Sequence, residues 1–529
     1  MTGLPFPPHL RCAIMMNHNR REFLADVGKG MLVASVGSGL AAELGIGLAP
    51  SFAAEIPKRL SFGDCEPLVG IMQDTPVNKL LPILLEKLKS GTTLKELVAA
   101  GALANARTFG GGHYDGHHAF AALMPSLHMS RELPEARRAL PVLKVLHRNT
   151  EYIQVYGGKR EALHAVAAAE LPKDRPPLDI LRDNLRTNNR GVAEGIFAAT
   201  TQGSLAEAYN HLQYFIEQDI DVHRVVLSWR AWETIDAVGK DQALTLLRQS
   251  LNWCYGQPDP GKLGIGTALP KLLEQYKLLG KTPGTRKAED AWIDRLALTI
   301  YSARPVEAAE AAAAALAEGI SPEDVGEAIA LASNRLLLCD TGRDKAHSHA
   351  EVPLGSVHGN SIGLHASDAT NAWRNIARVS NARNTFASLI VAAFQNTVRP
   401  EKKQGSLNKE PLPLPAHLEK VTAKDAAALL HDAEAAIRAN DQMGAAALVH
   451  RYGELKLPER PVFDLLLRYA ISEDGAMHAE KYYRTVVEEF ATIRATFRWR
   501  QLVALARVTA SEYGHPSSGY IEARRLIKE

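Results

Sequence analysis

Part of this 529-residue chain repeats, and the repeat constrains its fold more than any other feature. One copy runs from Thr75 to Phe120 and a second begins at Arg304. In the register that sets Arg107 on Arg335, Gly91 meets Gly319 and Ala102-Leu103-Ala104 meet Ala330-Leu331-Ala332. Beyond an insert in the second copy, His113 aligns with His358, and His118-Ala119 with His365-Ala366. A duplicated scaffold has no need of duplicated histidines. Two imidazole clusters at equivalent places therefore predict one shared site across a pseudo-twofold axis. A weaker second match sets His211 opposite His450 and Val222 near Val462, which extends the duplicated unit over 75–256 and 304–490.

The periodicity is helical. Asn78 to Lys89 carries apolar residues at helical spacing and Gly91 stops the run. Thr93 and Glu96 have capping-box spacing. The second copy opens with Ser321-Pro322-Glu323-Asp324: a cap, a proline suited to the first helical position, and acids in the first turn. Sustained alternation is absent, and only 6% of residues are aromatic. The expected fold is all-α, two pseudo-repeated halves built of helical hairpins with a His-rich segment in each. The boundaries expected are a leader over 1–54, a first half over 55–260, the first part of the second half over 261–399, a linker over 400–415, and a C-terminal helical part over 416–529.

A net charge of +2 with no basic stripe argues against a nucleic-acid partner. No apolar run beyond the leader reaches the length of about 18 residues that spans a bilayer. Beyond Cys12 in the leader, the cysteines Cys65, Cys254 and Cys339 are widely spaced, which predicts neither a disulfide framework nor a CxxC zinc site. CxxCH is absent, so covalent haem is not expected. A GxSxG elbow and phosphate-cradling loops are absent too.

Three constellations carry candidate chemistry. The first is Gly112-His113-Tyr114-Asp115-Gly116-His117-His118. If helical, His113 and His117 share a face and suit one metal ion, while Asp115 and His118 point elsewhere. The second is the loop with His347 and His349, followed by His358 and His365. Spacing of two suits an extended ligand loop, and His358 and His365 would stand two turns apart on a helix. Neutral imidazoles favour iron, copper, zinc or nickel, and Glu351 or Asp115 would steer toward zinc or non-haem iron. The third, Val222 to Glu233, reads as a core aromatic stripe of Trp229 and Trp232, or as a pocket wall with Arg230 as an anion clamp. His164, His417, His431, His478 and His515 stand alone and are given no role. The candidate ligands are thus His113, His117, His358, His365, His347 and His349. His118, Arg107 and Arg335 are the candidate catalytic groups, although matched arginines also suit helix-pinning ion pairs.

Asn19-Arg20-Arg21-Glu22-Phe23-Leu24, a weakly apolar stretch and Ser51-Phe52-Ala53 together resemble a twin-arginine export signal, starting from Met1, Met15 or Met16. The resemblance implies handling by the twin-arginine machinery, a periplasmic or secreted location, and export in the folded state, often with a cofactor inserted. Two short segments, His113–Ala119 and His358–Asp368, resemble the questin oxidase-like proteins, helical oxidoreductases of aromatic polyketide ring oxidation. Gly319 to Ile329 resembles a helical element of carboxymuconolactone decarboxylase-like domains, without the cysteine pair of their peroxidase branch. The expected function is a metal-dependent oxidoreductase acting on a small organic substrate. The alternatives are a metal-dependent hydrolase and a non-enzymatic helical-repeat binding module.

Overall fold

The computed structural model describes residues 59–157, 161–255, 264–359, 361–396 and 407–528. The leader expected over 1–54 lies outside the described residues. All regular structure in the described residues is helical, apart from isolated β-bridges such as Arg59 with His164.

The helices begin where cap chemistry places them. The Thr93 hydroxyl accepts the Glu96 backbone N–H while the Glu96 carboxylate accepts that of Thr93, the box read from the sequence. Ser321 caps a helix that opens on Pro322.

The first run comprises α1 (Glu66–Asp74), α2 (Val77–Lys89), α3 (Leu94–Phe109), α4 (Tyr114–Arg131), α5 (Ala139–Tyr152), α6 (Pro177–Arg186), α7 (Arg190–Gly203), α8 (Leu205–Ile216), α9 (Val222–Val238) and α10 (Ala243–Tyr255). After α11 (Ile265–Gln275) come α12 (Asp290–Ser302), α13 (Pro305–Ala317), α14 (Pro322–Cys339), α15 (Ile362–Val379), α16 (Ala382–Gln395) and the short α17 (Pro415–Leu418). The chain ends with α18 (Ala426–Arg438), α19 (Gln442–Glu454), α20 (Arg460–Ser472), α21 (His478–Thr492), α22 (Trp499–Glu512) and α23 (Ser518–Ile527).

Neighbour relations recur along the chain. α1 packs on α3, α2 on α5, and α3 on both α4 and α5; α12 packs on α14, α13 on α16, and α14 on both α15 and α16. Likewise α10 contacts α7, α8 and α9, and α22 contacts α19, α20 and α21. This order sets α8 opposite α20. The expected match of His211 on α8 with His450 on α19 is therefore one helix out of step with the packing.

Two close approaches also correspond. A Cβ on Gly116 would meet the Phe109 ring at 2.4 Å, and one on Gly363 would meet the Leu337 backbone at 2.3 Å. In the register that sets Arg107 on Arg335, Phe109 falls on Leu337.

Buried apolar side chains from both runs form one continuous core. At its centre α9 packs on α4 and α15, and α21 packs on the same two helices. No helix among the described residues is long and apolar enough to cross a membrane. The segment read as a linker is described from 407 onward, and there it lies against α14. Asn408 N–H bonds the Cys339 carbonyl at 2.7 Å and Leu412 N–H that of Leu338 at 3.0 Å.

Candidate functional site

The N-terminal ends of α4, α9, α15 and α21 meet, and each carries histidine in its first turns: His117 and His118, His223, His365 and His478. The rings are in mutual contact. Centroids lie 5.2 Å apart for His118 and His223, 4.7 Å for His118 and His478, 5.7 Å for His223 and His365, and 5.2 Å for His365 and His478. His117 packs against His118 at 5.4 Å and His223 at 5.1 Å.

Hydrogen bonds fix which nitrogens face inward. His223 Nδ1 lies 2.8 Å from Asp221 Oδ1, and the Trp253 indole N–H donates to Asp221 Oδ2 at 2.8 Å. With its Nδ1 proton given to the carboxylate, His223 turns the Nε2 lone pair inward, where that atom has no partner. His478 Nδ1 lies 3.1 Å from the Ala476 carbonyl, so its Nε2 is also a lone pair. His365 Nε2 approaches that atom to 3.1 Å. Lys481 Nζ donates to His118 Nδ1 at 2.8 Å, leaving His118 Nε2 buried and unpartnered. His117 Nδ1 is unpartnered as well.

The electrostatics favour neutral imidazoles. Burial, followed by the charges of neighbouring histidines and Lys481, holds His117 and His365 well below the ordinary imidazole range. Burial and then Lys481 do the same for His118 and His478. The converging positive helix ends act in the same direction. Burial pulls Lys481 down to about 8. Burial opposes ionisation of Asp221, but the hydrogen bonds it accepts from His223 and from the Trp253 indole outweigh it and hold the carboxyl well below the usual range.

Three of the predicted residues, His117, His118 and His365, come together here. The others stand elsewhere. His113 is not on a helical face with His117: it is the N-cap of α4, its Nδ1 accepting the Gly116 N–H at 3.3 Å and its ring stacked between Phe109 and Tyr156. His358 precedes α15 rather than sharing a helix with His365. Its two nitrogens lie 2.9 Å from Ser511 Oγ and 2.9 Å from the Glu351 carbonyl, so both are already engaged. His347 and His349 are exposed, and His347 bonds Asp344 within its own loop at 2.7 Å.

Arg107 is fully buried and binds Glu66 at 2.7 Å, the Leu60 carbonyl at 2.8 Å and Gln73, which ties α3 to α1. Arg335 lies over the Tyr301 ring, 5.2 Å from its centroid, and so joins α14 to α12. Arg230 is no free anion clamp, since Glu233 pairs with it at 2.6 Å and also holds His128 at 3.2 Å.

His223, His478, Lys481 and the pair Asp221–Trp253 were not singled out from the sequence as site residues. One signal was available. His118 to His128 and His365 to Asn375 span the same interval on α4 and α15, as do His223 to Glu233 and His478 to Glu488 on α9 and α21. Glu233 bonds His128, and Glu488 bonds Asn375 at 3.0 Å. His223 and His478 thus each have a glutamate at the same interval, bonded to α4 in one case and to α15 in the other.

The arrangement tests well for imidazole coordination in one respect and less well in another. Two nitrogens bound to one tetrahedral zinc at bonds of about 2.0–2.1 Å lie about 3.3 Å apart, near the 3.1 Å between His365 and His478. Yet no group of three or more His, Cys, Asp or Glu among the described residues stands ready to hold a metal ion. A third bond requires the inward Nε2 of His223 to move closer to this pair. No family model, no curated protein and no solved structure matches this chain.

Proposed function

We propose that the chain is an oxidoreductase whose buried polyhistidine centre binds a transition metal (iron, copper or zinc) and acts on a small organic substrate, after export through its twin-arginine leader. The observation that carries this reading is the apposed Nε2 pair of His365 and His478, with the inward lone pair of His223 beside it. Each of His223 and His478 is backed by an acceptor on its far nitrogen, the outer-shell support that orients metal-bound imidazoles. An all-imidazole donor set suits these metals, and the oxidisable rings of Tyr114 and Trp253 pack against it. A metal bound here would supply Lewis-acid or one-electron chemistry. The chain itself would orient the rings, exclude water from them, and hold an exchangeable proton between Lys481 and His118. Recurring neighbours and matching glycine contacts support an origin of the site by duplication, with His118 and His365 as one equivalent pair and His223 and His478 as the other.

The test is metal analysis of the purified full chain after exposure to Fe(II), Cu(II) and Zn(II). Uptake of about one ion per chain, lost in His365→Ala/His478→Ala with the helical circular-dichroism spectrum intact, is expected. Failure of the wild type to retain any of the three overturns the metal centre. A second reading is favoured by the Lys481–His118 bond and the lack of a ready three-donor group: a metal-free acid–base site that moves protons between amine and imidazole. It predicts no retained metal and loss of turnover in Lys481→Met.

A further inference from the structure

A cavity of about 990 Å³ is bounded by α6, α8, α9 and α10. Four arginines line it, Arg175, Arg182, Arg186 and Arg224, against two carboxylates, Asp179 and Asp183. Arg186 shares Asp183 with Arg175, and Asp179 lies 3.3 Å from Arg182, so the acids are already committed to neighbours on or beside α6.

Arg224, on α9 in the deep wall, is different. It is 3% exposed. One terminal nitrogen donates to the Phe215 carbonyl at 3.1 Å, the other reaches Asp219 only at 3.8 Å, and its Nε–H has no partner. Tyr255, at the end of α10, presents a second buried donor in the same wall whose hydroxyl is also without a partner. Leaving these groups unbonded costs free energy; the Arg224 Nε–H can be satisfied only by an acceptor, and the Tyr255 hydroxyl can donate to the same one. Tyr214 and Phe215 line the same cavity, the Tyr214 ring lying 4.0 Å under the Arg182 guanidinium.

We propose that this cavity binds a small organic oxyanion, a carboxylate or phosphate ester with an apolar body, its head accepting from Arg224 Nε–H and Tyr255 Oη–H. Charge-assisted bonds to a guanidinium suit either head group, and the Tyr214 and Phe215 side would take the apolar part. The proposal stands on this wall and not on metal at the histidines. The two places are nevertheless joined through the chain: Arg224 follows His223, and Cys254 follows Trp253, whose indole holds Asp221.

Calorimetric titration of the full chain with benzoate and with phenyl phosphate, at constant ionic strength, tests it. Saturable binding of benzoate alone assigns the carboxylate and of phenyl phosphate alone the phosphate; binding of both assigns a general oxyanion site. Arg224→Gln is expected to weaken binding by about tenfold or more and Tyr255→Phe by several-fold. Arg438→Gln, on exposed α18, is expected to leave it unchanged. If Arg224→Gln does not fold, Tyr255→Phe decides. Absence of saturable binding by both probes, or affinities unchanged in the folded variants, overturns the proposal whatever the metal content proves to be.

Discussion

His365 Nε2 lies 3.1 Å from His478 Nε2, and the two rings come from helices far apart in sequence, α15 and α21. Only one of these nitrogens can carry a proton in such a contact. His478 gives its Nδ1 proton to backbone carbonyls at the start of α21, so His365 is the donor. The contact is thus a proton held between two neutral imidazoles, the state that binding of a metal would replace.

Asp221 sets the inward face of His223. Asp221→Asn would remove the carboxylate that holds the Nδ1 proton while keeping the shape beneath Trp253. On the metal reading, affinity is expected to fall by about 10–100-fold with little change in melting temperature. Competition with a chelator of known affinity measures it. An unchanged dissociation constant would show that His223 is not a ligand.

Gly363 lets α15 rest on the backbone of α14. A methyl group there would stand 2.3 Å from Leu337 Cα, which no rotamer change can relieve. Gly363→Ala is expected to destabilise by about 1–3 kcal/mol or more and to push His365 away from His478. Gly191→Ala, on α7 with open space around it, is expected to be neutral or stabilising by a few tenths to about 1 kcal/mol. Urea unfolding of both variants checks the contrast, and equal effects would mean that the helices part without cost.

Thr93→Ala removes the hydroxyl that accepts the Glu96 N–H. The expected cost is about 0.5–2 kcal/mol, read as a lower urea midpoint with an unchanged slope. A cost near zero would mean that water replaces the cap.

That cap was legible because capping chemistry is local: Thr93 and Glu96 find each other whatever the rest of the chain does. The all-helical class was legible for the same reason. His117, His118 and His365 could be picked out because glycine and histidine recur together around them. His478 was harder to pick out: it shares with His223 only a glutamate ten residues on, and the packing of α9 and α21 on the same pair of helices is what brings the two together. His113 misled because its place in the motif suggested a helical face. The left-handed Gly110 and Gly111 end α3 just before it, and the turn makes it a cap.

Glu512 gives the stability a pH dependence that can be assigned to one residue. It is buried on α22 with one carboxyl oxygen unpartnered. Burial pushes its pKa up to about 8; Lys144 on α5 opposes the rise, and the carboxylates of Glu480 on α21 and of Glu473 and Asp474 after α20 add to it. In the unfolded chain a glutamate titrates near about 4.3. Between these values the folded state holds a proton that the unfolded state has released, so stability falls as pH rises from about 4.3 to about 8 and then levels off. Glu512→Gln keeps the neutral shape without the titration. Its stability gain over the wild type is expected to grow from pH 5 to pH 8, to the order of a few kcal/mol, and to stay constant above. Urea unfolding at pH 5, 7 and 9 measures it, and two parallel stability curves would place the charge on another of these acids.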